Sequence, residues 1–304
     1  MVANLVAQIV IVVTGGAVRL TGSGLGCSTW PQCEPGQFTP VRHEASTWHP
    51  VIEFGNRTLT GLLVVIAVAV AWALLRQRGG SRGLRLLALA PLVGVLVQAV
   101  IGGLAVLVKL HPAVVGSHFL ISMVLIAAST QLLLRFDRAG ASTTRGASGA
   151  LRTVGIALVP LAALMLVLGS VTTGAGPHSG DENTPYRFAL DPLLVTRAHS
   201  ASVWLFVAAL LAVVVLVRSS SEARPTLRRR TTVLLGVTLG QGVIGYVQYF
   251  TGLPGWLVAL HMLGASLLVV AQTRHLDAVR FRAVDEAGAG PDQPASPSVE
   301  LASA

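Results

Sequence analysis

Gln98-Ala-Val-Ile-Gly102 runs on through apolar sequence to His118, and Gln241-Gly-Val-Ile-Gly245 runs on to His261. The Gln-to-His separation is 20 residues in both, and the two passages lie 143 residues apart. The same offset carries His199 back to Asn56, so Asn56–His118 and His199–His261 both span 62 residues. A weaker match joins Gly15-Gly-Ala-Val-Arg-Leu-Thr-Gly22 to Leu168-Gly-Ser-Val-Thr-Thr-Gly174 at an offset near 153. The chain reads as a duplication, and the apolar runs around these passages show what was duplicated.

A helix needs about 20 apolar residues to cross a bilayer. Eight stretches qualify: 2–18, 53–75, 86–108, 112–134, 153–174, 193–217, 231–250 and 255–273. The first is the weakest, being short and carrying Asn4 and Gln8. It lacks the basic start and small-residue cleavage site of a signal peptide. A short basic segment is expected to precede it in the natural protein.

The 304 residues are 53% hydrophobic and only 12% charged, about half the charge of a soluble domain. The predicted class is therefore an all-α integral membrane protein of eight transmembrane helices, arranged as two repeated four-helix bundles (4+4). Its expected divisions are an N-terminal half (1–139), a cytoplasmic linker (140–152), a C-terminal half (153–275) and a disordered cytoplasmic tail (276–304). No nucleic-acid partner is expected despite the net charge of +9, because the basic residues sit between apolar runs rather than on one soluble face.

Sixteen of the 22 Lys and Arg residues fall in the segments 76–85, 135–152, 218–230 and 274–282. By the positive-inside rule this predicts a multi-pass protein of the cell membrane with both termini cytoplasmic. The loops 19–52 and 175–192 then face outward. Cys27 and Cys33 share the first of these, and outside the cytoplasm neighbouring thiols tend to oxidise, so a disulfide between them is expected.

Five of the eight His lie in loops or at helix ends (His43, His49, His111, His178, His275) and read as solvated or interfacial. His118, His199 and His261 lie within spans, where ionisable groups are costly and usually functional. A lone intramembrane His can simply hydrogen-bond across helices; three at repeat-related positions argue for a shared task. Each lies some six residues inside its span, about 9 Å deep. Asn56 reads as slightly shallower.

Two neutral imidazoles facing each other across a bundle suit axial ligation of heme iron. A closed zinc site would want four ligands. His199 and His261 are thus the expected pair for a saturated site. Asn56 and His118 would leave iron with one strong ligand and one open or weak position, which suits chemistry. Glu53, one turn outside Asn56, is the acid available there; its second-half counterpart is Thr196. It reads either as a catalytic carboxylate or as a helix-end charge paired i,i+4 with Arg57. Arg57 and Arg197, with Arg19 and Arg42, are candidates to meet heme propionates.

The run Gly15-Gly-Ala-Val-Arg-Leu-Thr-Gly-Ser-Gly-Leu-Gly-Cys27, then Trp30-Pro-Gln-Cys33, then Glu53-Phe-Gly-Asn-Arg57 closely resembles the bacterial heme A synthase family, over nearly all of residues 1–275. The resemblance implies an oxidoreductase of heme A biosynthesis for cytochrome oxidase. Such an enzyme oxidises the C8 methyl of heme O to a formyl group through a hydroxymethyl intermediate. It implies a permanently bound heme b on His199 and His261, substrate heme O at His118 and Asn56, and a catalytic Glu53. Implied partners are a heme O synthase and cytochrome oxidase assembly factors within the lipid bilayer. The chain departs from the family pattern at Asn56, where a His is usual. It also lacks the second loop's Cys pair that some members carry. The alternative reading is a diheme membrane cytochrome for quinol-linked electron transfer.

Overall fold

The computed structural model describes residues 1–41, 48–77, 81–139, 143–178, 180–181, 186–220 and 224–283. Arg42, His43, Arg78 and the end of the expected tail, 284–304, lie outside the described residues. Eight helices follow in order: α1 (Val2–Leu20), α2 (His49–Leu75), α3 (Arg82–Leu107), α4 (Pro112–Asp137), α5 (Gly149–Ala175), α6 (Pro192–Ser219), α7 (Pro225–Phe250) and α8 (Gly255–Arg280). All eight are long and apolar enough to cross a membrane. The chain is a multi-pass membrane protein.

Local chemistry sets where the helices begin. Ser81 accepts a hydrogen bond from Leu84 N at 3.2 Å, and Asp191 one from Leu193 N at 2.8 Å, each satisfying an otherwise orphaned helix amide. Pro50, Pro112, Pro192 and Pro225 stand in first turns, where a missing N–H costs nothing. The weak hydropathy of α1 also has a local explanation. Asn4 and Gln8 are buried against protein rather than turned to lipid, and Asn4 Nδ2 donates to Ser129 Oγ of α4 at 2.9 Å.

Helices α1 to α4 touch in a ring (α1–α2, α2–α3, α3–α4, α4–α1), and α5 to α8 touch in a second (α5–α6, α6–α7, α7–α8, α8–α5). The rings meet through α1, α4, α5 and α8. Phe206, Leu158, Leu210, Val213 and Leu234 fill the core of the second ring. Val70, Leu74, Leu84, Ala88 and Leu132 pack in the first. Leu5, Val12, Met123, Ile126 and Val269 pack between the rings. Lipid is as apolar as these side chains, so close packing rather than water exclusion holds them together.

The 143-residue offset reappears in the backbone. The α3–α4 turn places Lys109 at φ 54° and Leu110 at φ 59°; the α7–α8 turn places Gly252 at φ 78° and Leu253 at φ 61°. Leu110 N bonds Ala105 O at 2.7 Å, and Leu253 N bonds Gln248 O at 2.7 Å. Left-handed residues cost energy unless glycine, yet both turns keep leucine at the second position.

At the end opposite the cysteine loop, α8 runs further than the sequence indicated. The expected boundary at 275 is corrected: Asp277, Ala278 and Val279 are buried within α8. Asp277 is held by Arg138 at 2.6 Å and by Arg230 at 2.8 Å. A short antiparallel ladder pairs β1 (Thr143–Arg145) with β2 (Phe281–Ala283), so part of the expected linker is fastened to the start of the expected tail. His275, read as interfacial, is fully buried, with Nδ1 3.3 Å from Thr231 Oγ1. Once Asp277 is paired with two arginines, the helix can continue with its charge satisfied.

Candidate functional site

The four repeat-related residues occupy equivalent places. Asn56 lies seven residues after the start of α2, His118 six after that of α4, His199 seven after that of α6 and His261 six after that of α8. Asn56 is therefore not shallower than the histidines, because α2 begins at His49 rather than at residue 53. All four helices begin at the cysteine-loop end.

Each of the four faces a glycine on a neighbouring helix. A Cβ at Gly102 (α3) would lie 3.4 Å from His118 Cε1, and one at Gly245 (α7) 3.4 Å from His261 Cε1. One at Gly169 (α5) would lie 3.0 Å from His199 Cε1, and one at Gly15 (α1) 3.9 Å from Asn56 Nδ2. Gly15 and Gly169 stand 154 apart, one residue off the alignment that the sequence favoured. The absent side chains leave room for the rings.

Gln98 and Gln241, quoted above only as markers of the repeat, have a structural task. Gln98 Nε2 donates to the His118 carbonyl at 2.8 Å, and Gln241 Nε2 to the His261 carbonyl at 2.9 Å. Each amide ties two antiparallel helices together at the histidine. The constant 20-residue spacing was the signal of this contact.

The imidazoles have unspent capacity. Nδ1 of His118, His199 and His261 is buried with no hydrogen-bond partner. Buried polar atoms are normally paired, so three imidazoles with an unpartnered ring nitrogen fit the donor chemistry that a porphyrin iron draws on. Among the described residues no group of three or more His, Cys, Asp and Glu side chains could hold a metal ion.

The first ring carries a lid. Cys27 and Cys33 form a disulfide, and both are fully buried. Glu53, 5% exposed, accepts from Cys27 N at 2.7 Å through Oε2. Its Oε1 accepts from Arg57 Nε at 3.1 Å and Nη2 at 2.5 Å. Arg57 also donates to the carbonyls of Thr29 at 3.0 Å and Gln32 at 3.1 Å. Trp30 packs on Gly103, where a Cβ would collide with the indole. The loop is thereby fixed to α2 through Glu53 and Arg57 and to α3 beside the His118 glycine.

This geometry bears on the propionate candidates. Arg57 is engaged with Glu53 and the loop. Arg19 donates to the carbonyls of His178 at 2.6 Å and Thr173 at 3.0 Å, tying α1 to the end of α5 and the loop after it. Arg197 is exposed and has no hydrogen-bond partner among the described residues. His49 and His178, read as solvated, contact the carbonyls of Gly22 and Leu253, each at 2.9 Å. Asn56 Oδ1 accepts from Thr14 Oγ1 at 2.8 Å. The sequence reading missed Thr14, because one threonine in an apolar helix gives no periodic signal.

Residues 1–273 match the family described as cytochrome oxidase assembly protein. The chain is similar to heme A synthase of Bacillus pumilus, 31% identical over 140 residues covering 45% of this chain and 44% of that one. It is 30% identical to heme A synthase of Geobacillus kaustophilus over 155 residues, 49% of this chain and 47% of the other. Against heme A synthase of Listeria monocytogenes it is 32% identical over 137 residues, 44% and 43% of the two chains. The chain thus spans a little under half the length of these curated relatives. With a family match over 273 of 304 residues, this chain belongs to the COX15-CtaA family of cytochrome oxidase assembly proteins.

Proposed function

We propose that this chain is a heme A synthase, an oxidoreductase that converts the C8 methyl of heme O to a formyl group through a hydroxymethyl intermediate. The observation that carries the reading is the difference between two otherwise equivalent ligand pairs. His199 and His261 would hold heme b, and a site with two imidazole ligands would supply electron transfer. His118 would bind substrate heme O, with Asn56 rather than a second imidazole on the other side. When bound, heme b supplies a one-electron relay; the protein supplies ligands, position and exclusion of water. The 4+4 architecture belongs to this reading. It is supported by the two rings of contacts, the two glutamine clamps and the two left-handed turns.

Glu53 has two proposed tasks. Removing electrons from a methyl group also releases protons, and Glu53, one turn from Asn56, would take them. The ion pair and the Cys27 hydrogen bond support a positioning role as well, in which Glu53 holds the lid over the first ring. Among the described residues, Arg197 is the propionate candidate with its guanidinium uncommitted.

The arginine distribution supports cytoplasmic termini and an outward cysteine loop, which agrees with the disulfide. A heme O synthase and cytochrome oxidase assembly factors are the proposed partners. Family membership and the relatives' name favour the enzyme over an electron-transfer cytochrome. The test is co-expression with a heme O synthase, followed by heme extraction and mass analysis. Heme A is expected; unchanged heme O in folded, heme-loaded protein would overturn the reading.

A further inference from the structure

We propose that the first ring ligates its porphyrin iron from one side only, and that Thr14 enforces this by holding Asn56 as a hydrogen-bond donor rather than a ligand. The inference rests on the heme reading above. A carboxamide has one atom able to approach a metal, its oxygen, while its NH₂ group only donates. In this structure the oxygen is taken. Thr14 Oγ1 lies 2.8 Å from Asn56 Oδ1 and 3.3 Å from the Ile11 carbonyl. A hydroxyl has one proton to give, and the shorter contact is the better bond. Asn56 Nδ2 is the amide atom turned toward Gly15, 3.9 Å from where a Cβ there would lie.

The second ring shows that the pin is specific to this site. Gly15 and Gly169 face Asn56 and His199 in the same way. The residue before Gly15 is Thr14, and the residue before Gly169 is Leu168. A leucine cannot orient an amide, and His199 needs no such help to ligate. The polar partner thus occurs only where the imidazole is missing. Thr14 is a positioning residue: it leaves His118 as the one strong protein ligand and sets an N–H donor beside the open face. Such a donor stabilises negative charge developing on a small molecule bound there.

The full-length protein, purified and saturated with heme B, tests this by spin state and by carbon monoxide binding to the reduced form. Two hemes per chain are expected, one low-spin and inert to carbon monoxide, the other high-spin and reactive. The C–O stretch of the reactive site should rise in Asn56→Leu, through loss of the donor. It should move the same way in Thr14→Val and return to the wild-type value in Thr14→Ser. Asn56→His should make the reactive heme low-spin and abolish carbon monoxide binding. The retained low-spin heme reports that each variant has folded. Two low-spin hemes in the wild type, or a C–O stretch unmoved in Thr14→Val, would overturn the proposal. A single heme per chain would overturn the reading on which it rests.

Discussion

At equal depth, the second ring presents two imidazoles and the first presents an imidazole and a carboxamide. The backbone around them is nearly the same: matching turns, matching glutamine clamps and matching glycines. What differs is polar. The first ring adds Thr14 against Asn56 and a disulfide lid tied down by Glu53 and Arg57. At the corresponding positions the second ring has Leu168 and Thr196, and Thr196 merely bonds back to the Pro192 carbonyl at 2.7 Å. Two rings with similar backbones can thus carry unlike polar groups, because side-chain partners can change while helix packing stays fixed.

The largest effect should come from removing the symmetric pair. His199→Ala or His261→Ala should eliminate the low-spin heme spectrum while leaving the carbon monoxide-reactive heme in place. A low-spin spectrum surviving in either purified variant would break the assignment of the second ring.

Glu53→Gln sharpens the contrast at the lid. Heme A yield should fall about 100-fold or more if the carboxylate moves a proton, with the low-spin heme intact. The variant also separates the two roles. Retained first-ring heme with lost activity marks a proton role, whereas lost first-ring heme marks a positioning role. Wild-type heme A formation would leave Glu53 as a structural partner of Arg57 alone.

The paired change Cys27→Ser with Cys33→Ser should act on one ring. Opening so short a loop forfeits about 2 kcal/mol of conformational restriction. The first-ring heme should therefore dissociate faster, measured by transfer to apomyoglobin, while the second-ring heme is unaffected. Equal loss from both rings would deny the lid its local role.

The smallest effects test the glycines. Gly169→Ala should shift the low-spin spectrum most, since its Cβ would press on His199 at 3.0 Å. Gly102→Ala and Gly245→Ala, at 3.4 Å, should shift their own hemes less, and Gly15→Ala, at 3.9 Å, should be tolerated. A reversed order would mean that the glycines serve helix packing rather than the rings.

Much of this was legible in the sequence because it is local or periodic. Hydropathy marks eight spans since lipid makes one demand on every residue that faces it. The histidine spacing survives because helix length fixes depth. The disulfide followed from two cysteines placed in one loop. The start of α2 was misplaced by four residues because His49 and Pro50 look like loop, although Pro50 is at home in a first helical turn. The end of α8 was missed because Asp277 looks like a tail residue until Arg138 and Arg230 are seen to neutralise it.

By itself, the sequence determined the number of spans and the depth of the three intramembrane histidines. Tertiary structure alone decided which polar atoms meet. It turned Glu53 toward Cys27 and Arg57, Thr14 toward Asn56, and a glycine toward Asn56 and each of the three histidines. The physical reason is that hydropathy and helical period fix a residue's depth and face, whereas a hydrogen bond needs two atoms within about 3 Å. That distance depends on how whole helices rotate and pack against one another.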